Sequence, residues 1–175
     1  MKDTDILEAV EISKKRFGPK CGKYSGALTV EIIRHALQKE GIRVSPRDVF
    51  LRGVPTEIDL VIPKRNISPR NRLVYEPSDI LVAIEVKNSG SFGVATIQTV
   101  RKNSKLLKKA NSGITYCYLT LAERKGFKWA VNDENAGCKT YTMFWHSGSG
   151  SKRLHESTGD WECFLKAIRE IQKKA

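Results

Sequence analysis

Several features that mark other classes of protein are missing from this sequence of 175 residues. No apolar run approaches the ~20 residues that a membrane-spanning helix requires, so we expect no membrane partner. The opening stretch, MKDTDILEAV, carries two acidic side chains within its first five residues and lacks the apolar core of a signal peptide. We therefore expect a cytoplasmic protein.

Closely spaced cysteines and histidines are also missing. The four cysteines form no CxxC pair, and the three histidines show neither HxH nor HxxxH spacing. Zinc sites are built from ligands at such spacings, so the sequence predicts no zinc site. We expect free thiols in a reducing compartment.

Acidic residues are few relative to basic residues. The chain has 31 Lys and Arg against 19 Asp and Glu, a formal net charge of +12. A surface this positive attracts polyanions, of which nucleic acid is the first candidate. The stretches 12–30, 63–72 and 86–122 contain basic but no acidic residues. Since Lys and Arg supply most non-specific affinity for phosphates, we predict DNA contacts from these stretches. The candidates are Lys14, Lys15, Arg16, Lys20, Lys23, Lys64, Arg65, Arg70, Arg72, Arg101, Lys102, Lys105 and Lys109.

Helix-like and strand-like segments alternate along the chain, which predicts an α/β protein with a mixed sheet. The run ILVAIEV is almost continuously apolar, as is typical of a central strand covered on both faces. Gly41 lies where a helix-ending glycine is expected. We predict helices at about 4–16, 27–40, 94–110 and 160–173, and strands at about 49–53, 57–62, 80–86, 115–121, 127–131 and 141–145. We assign residues 1–175 to a single domain, with a core at about 25–121 and a C-terminal extension at 122–175.

Two carboxylates and a lysine are associated with the apolar strands. In EIDLVI, strand alternation places Asp59 on the face opposite Ile58 and Ile62. In ILVAIEVK, the same alternation places Glu85 and Lys87 on one face. Carboxylates on adjacent strands suit Mg²⁺, which also binds water and substrate phosphate. A lysine beside them can orient or deprotonate a metal-activated water.

This pattern, an Asp strand followed by Glu85-Val86-Lys87 at the end of an apolar strand, resembles the PD-(D/E)XK nuclease superfamily. The superfamily includes many restriction endonucleases and the archaeal Holliday-junction resolvases. The resemblance covers roughly residues 25–121 and implies a restriction-endonuclease-like mixed central β-sheet flanked by helices. It also implies that Asp59, Glu85 and the backbone carbonyl of Val86 bind Mg²⁺, for which Mn²⁺ would substitute, and that Lys87 is the catalytic lysine.

The resemblance also indicates accessory residues. Many members carry a Glu near the metal on the upstream helix, and Glu31 is the natural match, with Glu8 or Glu11 as replacements. Gln98 resembles a polar residue that some members use near the site. Glu57 shares a face with Asp59 and is a spare ligand candidate, although a surface charge is the more common role for such a residue.

The sequence therefore predicts a Mg²⁺-dependent DNA endonuclease of restriction or DNA-processing type. One alternative is a structure-specific Holliday-junction resolvase. Another is a catalytically inactive nucleic-acid-binding or assembly module, although the presence of Asp59, Glu85 and Lys87 together argues against lost catalysis. The expected partner is DNA, with a homodimer possible because cutting both strands of a duplex requires two sites. We expect no small-molecule cofactor.

Overall fold

The computed structural model describes residues 2–17, 22–67, 73–89, 94–125, 137–148 and 154–175. Within these residues, helices and strands are interspersed along the chain, as in a mixed α/β protein. The helices are α1 (Asp3–Phe17), α2 (Gly22–Lys39), α3 (Val94–Ala110) and α4 (Asp160–Lys173), with a 3₁₀ turn at Pro77–Asp79. The strands are β1 (Val49–Leu51), β2 (Glu57–Ile58), β3 (Leu60–Pro63), β4 (Val74–Tyr75), β5 (Ile80–Ser89), β6 (Thr115–Arg124), β7 (Lys139–Ser147) and β8 (Leu154–Ser157).

The larger sheet has five strands in the order β3-β5-β6-β7-β8. Strands β5, β6 and β7 run parallel, while β3 and β8 pair antiparallel at the two edges. The parallel centre is covered on both faces, which explains why β5 and β6 are almost continuously apolar in sequence. The fold class is the expected one: mixed sheets flanked by helices.

A second, smaller sheet was not predicted. It contains three strands in the order β2-β1-β4, with β1 antiparallel to β2 and parallel to β4. The single strand predicted at 57–62 is divided between the two sheets, because the chain bends at Asp59. The predicted alternation is therefore wrong at this point. Ile58 packs in the core beneath the smaller sheet, whereas Ile62 packs on the opposite side of the larger sheet.

One face of the larger sheet is covered by α1, α2 and α4. Their apolar side chains, such as Ile6, Leu37 and Phe164, pack with Ile84 and Leu119 of the central strands. Burial of large side chains of this kind is the main favourable contribution to folding. Helices outside the predicted core at 25–121 thus complete the packing of this face.

The other face of the larger sheet is covered by α3 and the smaller sheet. Leu107 of α3 and Val49 of β1 pack in the same cluster as Ala83, Tyr116 and Tyr118 of β5 and β6. Since α3 and the smaller sheet cover one face, side chains on that face of β5 lie next to both. Glu85 and Lys87 belong to that face by strand alternation from Ala83.

The predicted helices at 94–110 and 160–173 are confirmed. Gly41 ends α2 with a left-handed φ of +73°, and the Ile42 N–H donates to the Leu37 carbonyl at 3.0 Å, as expected for a glycine cap. However, α2 begins at Gly22 rather than near 27. The strand predicted at 127–131 lies outside the described residues.

Among the described cysteines, Cys117 and Cys138 are buried and Cys163 is exposed, and no disulfide joins them. None of the helices in the described part of the chain is long and apolar enough to cross a membrane.

Candidate active site

Asp59 and Glu85 are brought together by the pairing of β3 with β5. These strands are antiparallel, with Leu60 opposite Ile84, so the next position of the register places Asp59 opposite Glu85. The chain bends at Asp59, just before β3 begins, and the Asp59 carboxylate turns toward β5. Its Oδ2 atom accepts a hydrogen bond from the Val86 N–H at 2.7 Å. The carboxylate thus replaces the backbone acceptor that a longer β3 would supply.

Lys87 joins the two carboxylates. Its Nζ atom lies 2.5 Å from Glu85 Oε1 and 4.0 Å from Asp59 Oδ2. These distances place the two carboxylate oxygens within about 6.5 Å of each other. The side chains of Asp59 and Glu85 are 18% and 17% exposed, and that of Lys87 is 43% exposed. The three groups form a half-buried cluster that solvent reaches from the lysine side.

The electrostatics of this cluster favour a cation. Burial raises the pKa of Asp59, and burial together with the charge of Asp59 raises the pKa of Glu85. Burial alone would lower the pKa of Lys87, but the two carboxylates outweigh it and raise that pKa. Two carboxylates whose ionised forms are disfavoured gain most when additional positive charge binds between them.

The residues present fit a hard divalent cation such as Mg²⁺. In an extended strand the N–H and C=O of one residue point to the same side, so the Val86 carbonyl lies on the edge of β5 that faces Asp59. Mg²⁺ needs only one or two protein carboxylates, because water and substrate phosphate supply its other ligands. No group of three or more His, Cys, Asp or Glu side chains arranged around a metal occurs in the described ranges. The metal roles of Asp59, Glu85 and Val86 stay predictions.

The accessory candidates Glu31, Glu57 and Gln98 have different surroundings. Glu31 accepts two hydrogen bonds from the Arg34 Nε atom, at 3.0 and 2.9 Å, and this ion pair lowers its pKa. Glu57 is exposed, and its charge contributes to the raised pKa of Glu85, so it lies close to the site. Gln98 lies on the exposed side of α3 among basic residues. Their roles in metal binding or catalysis also stay predictions.

Asp48 is a neighbour of the site that the sequence reasoning did not identify. Its backbone N–H donates to the Asp59 carbonyl at 3.0 Å, and its charge contributes to the raised pKa of Asp59. Its φ of +59° is uncommon for a residue other than glycine, and Asp is among the residues that tolerate it. A Pro-Arg-Asp turn before a strand is a weak signal, too weak to select this residue from the sequence.

The exposed side of α3 carries a basic surface on the same sheet face as the cluster. Val100 and Leu107 anchor the helix to that face. A shallow hollow of about 430 Å³ runs along the solvent side, lined by Gln98, Arg101, Lys102, Lys105, Leu106 and Lys109. A second hollow of about 600 Å³ at the end of α3 is lined by Lys64, Lys108 and Lys109, among others. We call this continuous region the α3 basic surface.

The other predicted DNA contacts are dispersed. Lys14, Lys15 and Arg16 lie in the last turn of α1, where Lys14 pairs with Glu11 at 3.3 Å. Lys20, Arg70 and Arg72 lie outside the described residues, and Lys23 falls in α2 without a described side chain.

A separate cavity, of about 710 Å³, lies near Pro63, at the end of β3 that is opposite to Asp59. We call it the basic cavity. Five Arg and Lys residues line it: Arg43, Lys64, Arg65, Arg169 and Lys173. Arg43 donates to the Ile67 carbonyl, and Arg169 pairs with Glu40 at 2.7 Å.

Together, the two mixed sheets with their flanking helices form a mixed α/β fold, with a carboxylate-carboxylate-lysine cluster where β3 begins. Three solved structures share this fold, and all are of NucC. The cAAA-bound form from P. aeruginosa has a TM-score of 0.63 at 13% identity, over 97% of this chain and 87% of the other. The cAAA-bound form from E. coli has a TM-score of 0.64 at 15% identity, over 97% and 86% of the two chains. The apo form from E. coli has a TM-score of 0.54 at 14% identity, over 99% and 98%. No protein-family model matches the sequence. No curated protein matches it either.

Proposed function

We propose that the protein is a divalent-metal-dependent endonuclease that hydrolyses phosphodiester bonds in DNA. The observation that carries the proposal is the convergence of Asp59, Glu85 and Lys87 on the sheet face that α3 also covers. Separate segments supply Asp59 and the Glu85–Lys87 pair, so their meeting is a product of the fold. The fold shared with NucC supports the same proposal.

The cluster supplies distinct roles for such a reaction. Asp59, Glu85 and the Val86 carbonyl would hold Mg²⁺, which when bound activates a water and stabilises negative charge on phosphate. Lys87 is solvent-accessible and close to both carboxylates. Its ammonium orients the attacking water and stabilises the charge that develops on the phosphate. Asp59 also keeps the backbone of Val86 in place through its hydrogen bond.

The α3 basic surface is suited to hold the DNA during this reaction. It contains no acidic residue, and its basic side chains are exposed on the side of the larger sheet that also carries the cluster. Contacts of Lys and Arg with phosphates position a duplex without reading its sequence. We therefore propose that α3 supplies affinity and orientation, while the cluster supplies chemistry.

A cleavage assay tests this proposal directly. Supercoiled plasmid, linear duplex, branched DNA and single-stranded DNA are incubated with the protein in Mg²⁺, Mn²⁺ or EDTA. We expect cleavage of duplex DNA with either metal and none with EDTA, and we expect Asp59→Asn to be inactive. Cleavage confined to branched DNA would favour the resolvase alternative. Binding without cleavage of any substrate, in either metal, would favour the inactive module. Light scattering on the same samples tests the homodimer.

We also propose that the basic cavity binds an anionic nucleotide ligand. Its volume is within the range of about 300–1,000 Å³ typical of small-molecule sites. Its five basic side chains suit several phosphates, and two of the NucC structures are bound to cAAA. These neighbours give no support to the expectation that the chain uses no small-molecule ligand.

A thermal-shift titration with cAAA, followed by cleavage with and without it, tests the cavity. We expect cAAA to raise the melting temperature of the wild type and to change its cleavage rate. The double variant Arg43→Ala/Lys173→Ala should lose both effects. Lys166→Ala, which removes an exposed charge on α4 outside the cavity, should keep them. No shift in the wild type at any concentration would contradict a cAAA site.

A further inference from the structure

A small polar cluster lies on the opposite face of β5 from the candidate active site. It joins Asn88 of β5 to Ser25 and Thr29 of α2. The Thr29 hydroxyl donates to the Asn88 amide oxygen, and the Asn88 amide nitrogen donates to the Ser25 hydroxyl at 3.2 Å. Thr29 Oγ1 also lies 3.0 Å from the Ser25 carbonyl. These bonds tie the end of a strand to a helix that packs behind it.

The end of β5 has less support than its middle. Within the described residues, β3 pairs with β5 only as far as Ile84, which lies opposite Leu60. Beyond that point the Asp59 carboxylate binds the Val86 N–H on that edge, and β6 continues along the other edge as far as Ser89. Asn88 follows Lys87 directly and, by strand alternation, faces α2. The side chain of Asn88 therefore anchors the segment that presents Lys87.

The helix side of the cluster is well fixed. Thr29 is 1% exposed, and its neighbours Val30 and Ile33 belong to the core beneath the larger sheet. Threonine is a poor residue for a helix interior, where its hydroxyl commonly bonds only the carbonyl four residues earlier. Here the hydroxyl also meets a side chain 59 positions away in the chain. A valine would fill the same space without this bond.

We propose that Asn88, held by Thr29 and Ser25, is a positioning residue that sets Lys87 against Asp59 and Glu85. The inference rests on the proposed nuclease function for its catalytic consequence. The geometric consequence, a fixed end of β5, is independent of that function. Small displacements of a catalytic group are costly, since about 1 Å can reduce a rate by 100-fold.

The test compares Thr29→Val, which removes the hydroxyl, with Thr29→Ser, which keeps it. The matched control is Thr142→Val, because Thr142 is 1% exposed and its hydroxyl bonds that of Thr120 at 3.1 Å, a buried threonine bond that does not involve Asn88. Thr120, which lies opposite Lys87 on β6, keeps its bond to the Tyr141 carbonyl at 3.2 Å in this variant. We expect Thr29→Val to lower the single-turnover cleavage rate by about 10-fold while DNA affinity in EDTA stays within about twofold. Thr29→Ser should restore most of the rate, and Thr142→Val should keep it.

Amide hydrogen exchange at Val86 supplies a measurement that needs no cleavage. We expect Thr29→Val to speed exchange of this amide by about 10-fold or more, with little change in Thr29→Ser and Thr142→Val. If Thr29→Val fails to fold, Asn88→Ala removes the same bonds from the strand side of the cluster. Unchanged exchange and an unchanged rate in a folded variant would overturn the proposal. If the wild type cleaves no DNA but the variants still differ in Val86 exchange as expected, the nuclease function is rejected and the positioning of the end of β5 is kept.

Discussion

Replacing Lys87 with alanine separates an enzyme from a binding protein with the same fold. The substitution removes an ammonium group that lies 2.5 Å from Glu85 and 4.0 Å from Asp59. A side chain that moves a proton or stabilises transition-state charge contributes about 10²- to 10⁴-fold to a rate. We therefore expect the single-turnover cleavage rate to fall by at least about 100-fold.

The same substitution should have a small effect on DNA affinity. One lysine provides at most one phosphate contact, which changes the slope of log affinity against log salt by about 0.9. Lys87 also pairs with two carboxylates, which reduces the charge it offers to DNA. Lys102→Ala on the α3 basic surface is the comparison, because it removes an exposed charge from the surface that we propose binds DNA. That variant should lose affinity and subsaturating cleavage in proportion, and recover the wild-type rate at saturating enzyme.

The assay is single-turnover cleavage of plasmid DNA with enzyme in excess, in Mg²⁺, together with DNA affinity in EDTA. Saturating enzyme removes differences in binding, so that only the chemical step and the steps coupled to it are compared. Equal rates for the wild type and Lys87→Ala would refute a chemical role for Lys87. A rate loss that matched the affinity loss would assign it to phosphate binding.

Three further outcomes are expected. Glu85→Gln should raise the melting temperature of the metal-free protein at pH 7, because burial and the charge of Asp59 raise the pKa of Glu85. The ionised carboxylate therefore costs stability as pH rises above the unfolded pKa of about 4.3. The difference in melting temperature between Glu85→Gln and the wild type should vanish below about pH 4, and Mg²⁺ should stabilise only the wild type. Equal melting temperatures of the two proteins at pH 7 as well as below about pH 4 would contradict this reasoning. Joint replacement of Lys102, Lys105 and Lys109 with alanine should weaken DNA binding for every duplex sequence. The slope of log affinity against log salt concentration, measured by fluorescence anisotropy, should fall by up to about 3. Phe164→Ala should lower the free energy of unfolding, measured by urea titration, by about 3–5 kcal/mol. The Phe164 ring is fully buried, and its centroid lies 5.1 Å from that of Tyr141. A loss below about 1 kcal/mol would mean that the surrounding side chains collapse into the space left by the ring.

Where hydrophobic pattern and turn residues agree, the sequence predicts the fold closely. Helix α3 has periodic apolar positions and basic exposed ones, and its bounds match the prediction at both ends. Strand β5 is long and apolar enough to be recognised as central, and its alternation correctly places Glu85 and Lys87 on one face. Asp59 meets Glu85 and Lys87 because β3 and β5 are neighbouring strands, and the sequence also suggested that the two strands are adjacent.

Features that depend on long-range partners could not be predicted. The smaller sheet is made of strands of two or three residues, too short for any periodicity to be visible. The bend at Asp59 depends on the backbone of Asp48 and Val86. The early start of α2 at Gly22 runs against the low helix propensity of its glycines. The Arg34 partner of Glu31 lies at helical i+3 spacing, so the sequence alone indicates that the two side chains are neighbours on α2.

The hydrogen bond from the Val86 N–H to Asp59 affects how inactive variants should be chosen. Alanine at position 59 would remove a metal ligand and would also leave a buried backbone donor without its acceptor, at a cost of about 1–3 kcal/mol. Asparagine keeps an oxygen at the same place and removes only the charge. For trapping an uncleaved DNA complex, Asp59→Asn therefore preserves the end of β5, whereas an alanine variant confounds loss of chemistry with loss of structure.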